Sequence, residues 1–240
     1  MSITFFVPCL NEEENIKKTI LEIVESAKET SLTDYEIMIF DDASTDRTLE
    51  KVEECVSEKN LTNKIQIRIV KNDKTKGLGF NYVEGAFLSN KEQYIMICGD
   101  HSEKKESIVK ILNLRGKADM IIPNFVGVDA RSFLRKNFSR FFTLTVNFMT
   151  RNNIKYYNGN VLHYTKNVRR WGASSSGFGY QAELIVNLIY QNKSFKEVSI
   201  KNFDRVKGVS RGYTFLNFLS VTHSILQIFL RAIRFKIWKV

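Results

Sequence analysis

The chain has 240 residues, 43 % of them hydrophobic and 26 % charged, the balance of a folded globular chain built around one large domain and not of a disordered one. Two prolines and twelve scattered glycines exclude a Pro/Gly-rich linker, a collagen-like repeat and a low-complexity tail. The formal charge of +10 is unevenly placed, with 14 Lys and Arg against 20 Asp and Glu in residues 1–105 and 22 against 6 in the remainder, so the second half calls for an anionic partner: nucleic acid, a phosphorylated substrate or anionic lipid.

The N-terminal run MSITFFVPCLNEEEN turns acidic within twelve residues and has no basic start ahead of a long apolar core, so it reads as a first strand and not as a secretory signal. Cys9, Cys55 and Cys98 form neither a disulfide framework nor a metal-binding spacing, which predicts a reducing, cytoplasmic environment. Short apolar runs over 3–8, 35–41, 65–70, 94–98 and 118–122 predict five strands. Helical patterns over 12–30, 46–57 and 78–89 lie between them. Alternating helices and continuously apolar strands predict an α/β fold, a mainly parallel sheet with helices on both faces and ligand sites beyond the carboxyl ends of the strands.

The chemistry-bearing residues follow those ends. Asn11 and Glu12 come after the first strand. Asp41 and Asp42 close the second, ahead of Ser44 and Asp46, either of which can cap the next helix. Capping does not require both adjacent aspartates, whose mutual repulsion is unfavourable, so one of them is a candidate acceptor for a nucleoside. Lys74 to Gly79 places two lysines and two glycines at a strand-to-helix junction, the kind of place where phosphate is bound. Gly99 permits close approach after the fourth strand, and Asp100 is a candidate ligand for Mg²⁺ or Mn²⁺. His101 has two readings, a second ligand or a loop histidine making ordinary hydrogen bonds.

Beyond residue 130 the segments 132–149 and 215–240 are apolar, aromatic and studded with Arg and Lys. Both read as amphipathic helices. Gly212 to Leu230 lacks any charged residue other than His223, yet six polar side chains interrupt it, favouring a helix lying on a membrane surface over one that spans it.

These motifs, in this order, resemble family 2 glycosyltransferases of the GT-A (Rossmann-like) fold, most closely the dolichyl-phosphate and polyprenyl-phosphate sugar transferases and their relatives in bacterial surface-polysaccharide clusters. Pro8-Cys9-Leu10-Asn11-Glu12 resembles the family's P-x-Y-N-E opening, with Leu10 in place of tyrosine. Phe40 precedes Asp41–Thr48, which is similar to D-D-x-S-x-D-x-T, and Lys76-Gly77-Leu78-Gly79 resembles the G-L-G helix start. Cys98-Gly99-Asp100 stands for D-x-D without its first aspartate. Tyr157-Asn158-Gly159-Asn160 resembles an acceptor-side loop, Phe178 to Glu183 an F-x-x-E helix, and Phe203 to Arg211 an R-x-x-G-x-S-K stretch. The arginine that follows the family's fifth strand has no match in Pro123-Asn124-Phe125, so that sugar or phosphate contact is either lost or supplied by another residue such as Arg131.

The resemblance implies an inverting transferase in residues 1–211, with a nucleotide-sugar half (1–123) and an acceptor half (124–211), followed by the amphipathic segment 212–240. It implies that a nucleotide diphosphate sugar contacts Pro8, Leu10, Asn11, Glu12, Phe40, Asp41, Asp42, Ser44, Lys76, Gly77 and Gly99, with Mg²⁺ or Mn²⁺ on Asp100. Asn158 and Gly159 would face the acceptor, a polyprenyl phosphate or a glycan. Arg205 and Arg211 would stabilise the leaving group, and Glu183 would serve as base for a hydroxyl acceptor. The protein would sit peripherally on the cytoplasmic face of the membrane, without a nucleic-acid partner.

Three other readings stay open at this point. A nucleotidyltransferase would want a Gly-rich, Arg-containing loop after the first strand, where Cys9 to Glu13 is acidic. A non-catalytic nucleotide-sugar-binding or scaffold subunit would accord with the missing aspartate. A nucleic-acid role is disfavoured, because the basic residues alternate with Leu, Phe and Ile in helical stripes and not with stacking platforms.

Overall fold

The computed structural model describes residues 1–58, 65–126, 133–171, 179–201 and 215–238. Along the chain run β1 (Ile3–Cys9), α1 (Ile16–Glu29), β2 (Tyr35–Asp41), α2 (Thr48–Glu58), β3 (Gln66–Lys71), α3 (Leu78–Leu88), β4 (Gln93–Met96), α4 (Lys105–Leu112) and β5 (Met120–Phe125). Then come α5 (Phe133–Thr150), β6 (Leu162–Tyr164), α6 (Thr165–Trp171), α7 (Tyr180–Tyr190), β7 (Phe195–Ile200) and α8 (Phe215–Trp238). The strands form one seven-stranded sheet in the order β3-β2-β1-β4-β6-β5-β7.

All pairings among described residues are parallel except those of β6, which runs antiparallel to both β4 and β5. The five expected strands are present, β2 with the expected bounds and the other four with shifted ends. β6 and β7 are additions: β6 is only three residues long, and β7 is an edge strand whose side chains are mostly exposed or half-buried, so neither carries the continuous apolar run of a central parallel strand.

Successive residues of each central strand feed opposite layers. Ile3, Phe5, Val7, Ile37, Ile39, Ile95 and Ile97 pack with Ile16, Ile20 and Ile23 of α1, Val52 of α2 and Ile108 of α4. Phe6, Met38, Phe40, Tyr94, Met96, Met120 and Ile122 face the other way, onto Tyr82 of α3, Val146 of α5, Trp171 of α6, Leu184 of α7 and Ile228 of α8. Both faces are therefore covered, as a parallel sheet requires.

The last helix is divided lengthwise. Ser224, Ile228 and Ala232 are buried, whereas Leu226, Phe229, Leu230 and Ile233 are exposed. Its inner stripe packs on α5 and α7, fixed by the stacked rings of Tyr190 and Phe235, 4.4 Å apart. It is fixed again where Ser224 lies so close to Gly179 that any Cβ at Gly179 would strike it. The expected amphipathic helix thus has one face on the domain and a second apolar face turned outward.

His163, fully buried on β6, shares a hydrogen bond of 3.2 Å with Gln181 Oε1. Burial pulls its pKa down to about 4, against the opposing effect of Gln181. The folded state rejects the proton that the unfolded chain accepts near pH 6.5, so stability falls as pH drops from about 6.5 to about 4. A His163→Gln variant is expected to lack about 3 kcal/mol of that acid-induced loss, read as the difference between the denaturant-unfolding profiles of parent and variant across this range.

Candidate active site

The chain leaves β1 toward β2 and β3 on one side of the sheet and returns at β4 on the other, which opens a crevice beyond the carboxyl ends of β1 and β4. Three non-glycine residues in the left-handed region stand in the loops around it: Asn11 (φ 59°), Ala43 (φ 67°) and His101 (φ 59°). Such conformations persist only where the surroundings enforce them.

The loops after β1 and β2 are laced together. The Asn11 N–H donates to Ser44 Oγ at 2.9 Å, and Asn11 Oδ1 accepts the Thr45 N–H at 2.8 Å. The Glu12 N–H reaches Thr48 Oγ1 at 2.8 Å, and the Glu13 N–H reaches Asp46 Oδ2 at 3.2 Å. Asp46 Oδ1 also accepts the Thr48 N–H at 3.0 Å, so Asp46 caps α2 and Ser44 braces Asn11. Pro8 and Leu10 are half-buried. Phe40 and Asp41 are fully buried, and Glu12 nearly so. Asp41 Oδ2 accepts the Ser44 N–H at 3.2 Å. Burial, then the charge of Asp41, pushes the neighbouring Cys9 thiol well above its ordinary range.

Asp42 does different work. Its carboxylate accepts the N–H groups of Lys76 at 2.8 Å and Gly77 at 3.1 Å, and Asn72 Nδ2 at 2.9 Å. Burial opposes its charge, but the donors Lys76, Asn81, Asn72 and Gly77 outweigh burial and hold the carboxyl below the usual range. The turn N–H groups expected to receive phosphate therefore already hold a carboxylate. The Lys76 ammonium is directed away, 2.9 Å from Glu84 and over the ring of Phe80. Gly77, at φ 93°, opens α3.

On the far side of the crevice the Gly99 N–H donates to Pro8 O at 3.1 Å. A Cβ at Gly99 would stand 3.0 Å from that oxygen and 3.1 Å from Cys9 Cβ, so the absence of a side chain is what brings the loop after β4 against the end of β1. Asp100 Oδ1 accepts the N–H of Ser102 at 3.1 Å and its hydroxyl at 2.7 Å. His101 is buried and turns its Nε2 to Glu22 of α1 at 3.0 Å, with Lys104 beside its ring, which bears out the ordinary loop-histidine reading.

Glu103, which sequence reasoning passed over, comes back to the strand end: Oε2 accepts the Cys98 N–H at 3.2 Å and Oε1 accepts Asn160 Nδ2 at 2.5 Å. Burial, then the nearby Asp100 charge, pushes its carboxyl up to about 8 against the hydrogen bonds it receives. Cys98, Asp100 and Glu103 bring one ligand atom each within 4.8 Å of one another, a donor set that fits a divalent cation. The one signal in the sequence is the spacing of two acids three apart, which acquires meaning only once His101 reverses the loop.

Asn160 brings the segment expected to face the acceptor to this point. Asn158 beside it is exposed, and Gly159 is buried against Pro123 of β5. The same segment is tied to α5 by Asn147, whose Nδ2 donates to Ile154 O at 2.9 Å and whose Oδ1 accepts the Ile154 N–H and the Tyr157 hydroxyl. Glu183 is fully buried in the first turn of α7. Arg131, Arg205 and Arg211 lie outside the described residues.

A family model described as Glycosyl transferase family 2 matches residues 4–176. A dolichol-phosphate mannosyltransferase of Pyrococcus furiosus is 26 % identical over 51 % of this chain and 32 % of its own length. A dolichyl N-acetyl-alpha-D-glucosaminyl phosphate 3-beta-D-2,3-diacetamido-2,3-dideoxy-beta-D-glucuronosyltransferase of Methanococcus voltae is 32 % identical over 45 % of this chain and 32 % of its own. The matches thus span about a third of these curated relatives. Among solved structures, glucosyl-3-phosphoglycerate synthase from Mycobacterium tuberculosis with Mn²⁺, UDP and phosphoglyceric acid superposes over 96 % of this chain and 78 % of its own at TM-score 0.68 and 11 % identity. The mannosyltransferase PcManGT from Pyrobaculum calidifontis with GDP-Man and Mn²⁺ superposes over 97 % and 64 % at TM-score 0.65 and 15 % identity. At such identities these likenesses establish the GT-A fold.

Asp42 holds the turn that opens α3. Asp42→Ala strips the acceptor from two turn N–H groups and is expected to destabilise the chain by about 2–4 kcal/mol, measured by urea unfolding. Asp41→Asn keeps shape and an acceptor and is expected to change stability by less than about 1 kcal/mol.

Proposed function

The chain belongs to glycosyl transferase family 2, and we propose that it transfers a sugar, with inversion, from a nucleoside diphosphate sugar to a polyprenyl phosphate. The observation that carries this reading is the convergence of the β1, β2 and β4 ends on one crevice, with buried Asp41 and Glu12 on one side and Asp100 on the other. Pro8, Leu10 and Phe40 are apolar surroundings suited to a base. Asp41 is assigned as the acceptor for a base or ribose donor, because the Ser44 N–H and the Cys9 thiol load it less heavily than Lys76, Gly77 and Asn72 load Asp42. A divalent cation bound at Asp100 supplies positive charge opposite the diphosphate. Arg205 and Arg211 are assigned to the leaving group by the family resemblance alone.

A phosphate acceptor is a nucleophile without assistance, whereas a hydroxyl needs a general base. The burial of Glu183 favours the phosphate. A surface-glycan acceptor is the second possibility. Lipid linkage is also supported by the exterior of α5 and α8, which pack together. Phe138, Phe141, Leu144 and Phe148 of α5 are 59, 67, 68 and 87 % exposed. With Leu226, Phe229, Leu230 and Ile233 they make an apolar surface whose two helices also carry Lys136, Arg140, Arg231 and Arg234. An apolar face on helices rich in cations suits the interface of an anionic membrane. No helix among the described residues is long and apolar enough to cross one. Asn147 connects this surface to the Asn158–Asn160 segment, so docking would bring a lipid headgroup to the acceptor side of the crevice.

Thermal shift with UDP, GDP, CMP and dTDP, each with and without Mn²⁺, is expected to single out one nucleotide, with stabilisation of about 2.7 kcal/mol at a hundred times its dissociation constant. Turnover of the matching radiolabelled nucleotide sugar onto a polyprenyl phosphate completes the test. Asp41→Asn is expected to lose nucleotide binding while keeping its fold. Binding without turnover on any acceptor would favour a non-catalytic subunit.

Flotation with vesicles tests the docking surface. Capture by anionic but not neutral vesicles, weakening with salt, is expected, and Phe141→Ser with Phe148→Ser should abolish it without altering thermal unfolding.

A further inference from the structure

The D-x-D pattern has lost its first carboxylate at Cys98, and nothing in the linear motif replaces it. The fold does. The left-handed turn at His101 and the Asp100–Ser102 hydrogen bonds reverse the loop, so that residue 103 returns to the end of β4 and its carboxylate accepts the Cys98 N–H. We propose that Glu103 supplies the second carboxylate of the cation site, which is formed by Asp100 and Glu103 with the Cys98 thiol as a third ligand. This rests on the reading that a divalent cation serves the diphosphate, and it assigns residues that the family motif does not.

The side chains meet the demands of such a site. Their ligand atoms lie within 4.8 Å of one another, close to the separation of about 4.2–4.4 Å that opposite ligands reach at metal–oxygen and metal–sulfur bonds of about 2.1 and 2.3 Å. Both Glu103 oxygens are held, by Cys98 N–H and by Asn160, and each keeps a second lone-pair direction for a metal. Supporting hydrogen bonds of this kind orient ligating carboxylates. The thiol changes selectivity: two carboxylates alone suit Mg²⁺ and Mn²⁺, whereas an added sulfur shifts preference toward Co²⁺ and Zn²⁺. Through Asn160, the same carboxylate joins the cation to the segment assigned to the acceptor.

Glu103 as no more than a brace for two loops is the rival account, and Glu103→Gln separates the two. Glutamine keeps the shape and an acceptor for the Cys98 N–H but removes the charge. The full chain is titrated with Mn²⁺, alone and with excess UDP, following the electron paramagnetic resonance signal of free Mn²⁺. Glu103→Gln is expected to weaken binding at least tenfold with thermal unfolding unchanged, and Glu103→Asp to recover part of the loss. Co²⁺ added to the parent should produce an intense near-ultraviolet thiolate-to-metal band that Cys98→Ser removes. Equal Mn²⁺ affinity in parent and Glu103→Gln would overturn the assignment and leave Glu103 a brace. A cobalt-loaded parent without the band would remove Cys98 from the set. Because these readouts use no sugar donor, metal binding that persists while no nucleotide sugar turns over would count against the transferase reading and leave the site standing.

Discussion

A parallel sheet buried on both faces has to satisfy the backbone N–H groups of every loop that leaves its carboxyl edge, and here side-chain oxygens accept them. Asp41 serves Ser44, Asp42 serves Lys76 and Gly77, Asp46 serves Glu13 and Thr48, Asp100 serves Ser102, and Glu103 serves Cys98. The density of acidic residues at this edge is thus first a folding device. Asp42 gives its oxygens to the turn that opens α3, whereas Asp100 and Glu103 are the carboxylates proposed to hold a cation.

That device has an electrostatic consequence. Carboxylates drawn together to hold loops repel one another and would repel a diphosphate, so the crevice needs positive charge from outside its own lining. The chain answers through charge segregation, an acidic first half and a strongly basic second half. The acidic edge suits a cation. Of the cations on α5 and α8, Arg140 and Arg234 are exposed, where they suit a surface.

Much of this was legible in the sequence, for physical reasons. Central strands must be apolar on both faces, so β1, β2 and β4 stand out, and loops that leave their ends carry unusual Asp, Asn and Gly. The split of α8 follows from its stripes, though which stripe packs inward was decided by the contact between Gly179 and Ser224. Harder to see were β6, three residues whose pairing depends on partners about 40 and 70 positions earlier, and the edge strand β7. Asp42 and Lys76 are alike in motif and unlike in use: one carboxylate answers the turn's N–H groups, and the neighbouring ammonium prefers Glu84. Glu103 was invisible because its proximity to Cys98 is created by a left-handed backbone reversal at His101, a conformation uncommon for any residue but glycine and not signalled by the linear motif.

The sheet order also dictates how the molecule must be assembled on emerging from a ribosome. β1 is made before the strands that flank it yet lies near the centre of the sheet, and its second edge stays open until Gln93–Met96 has been synthesised. β4 then waits for residues 162–164, and β5 for residues 195–200. Until Gln93–Met96 arrives, one edge of ITFFVPC, among the most apolar stretches of the chain, presents an unpaired ladder. Such distant pairings slow folding and prolong that exposure, so the arrangement that opens a crevice between β1 and β4 is also the one that keeps the nascent chain open to aggregation longest.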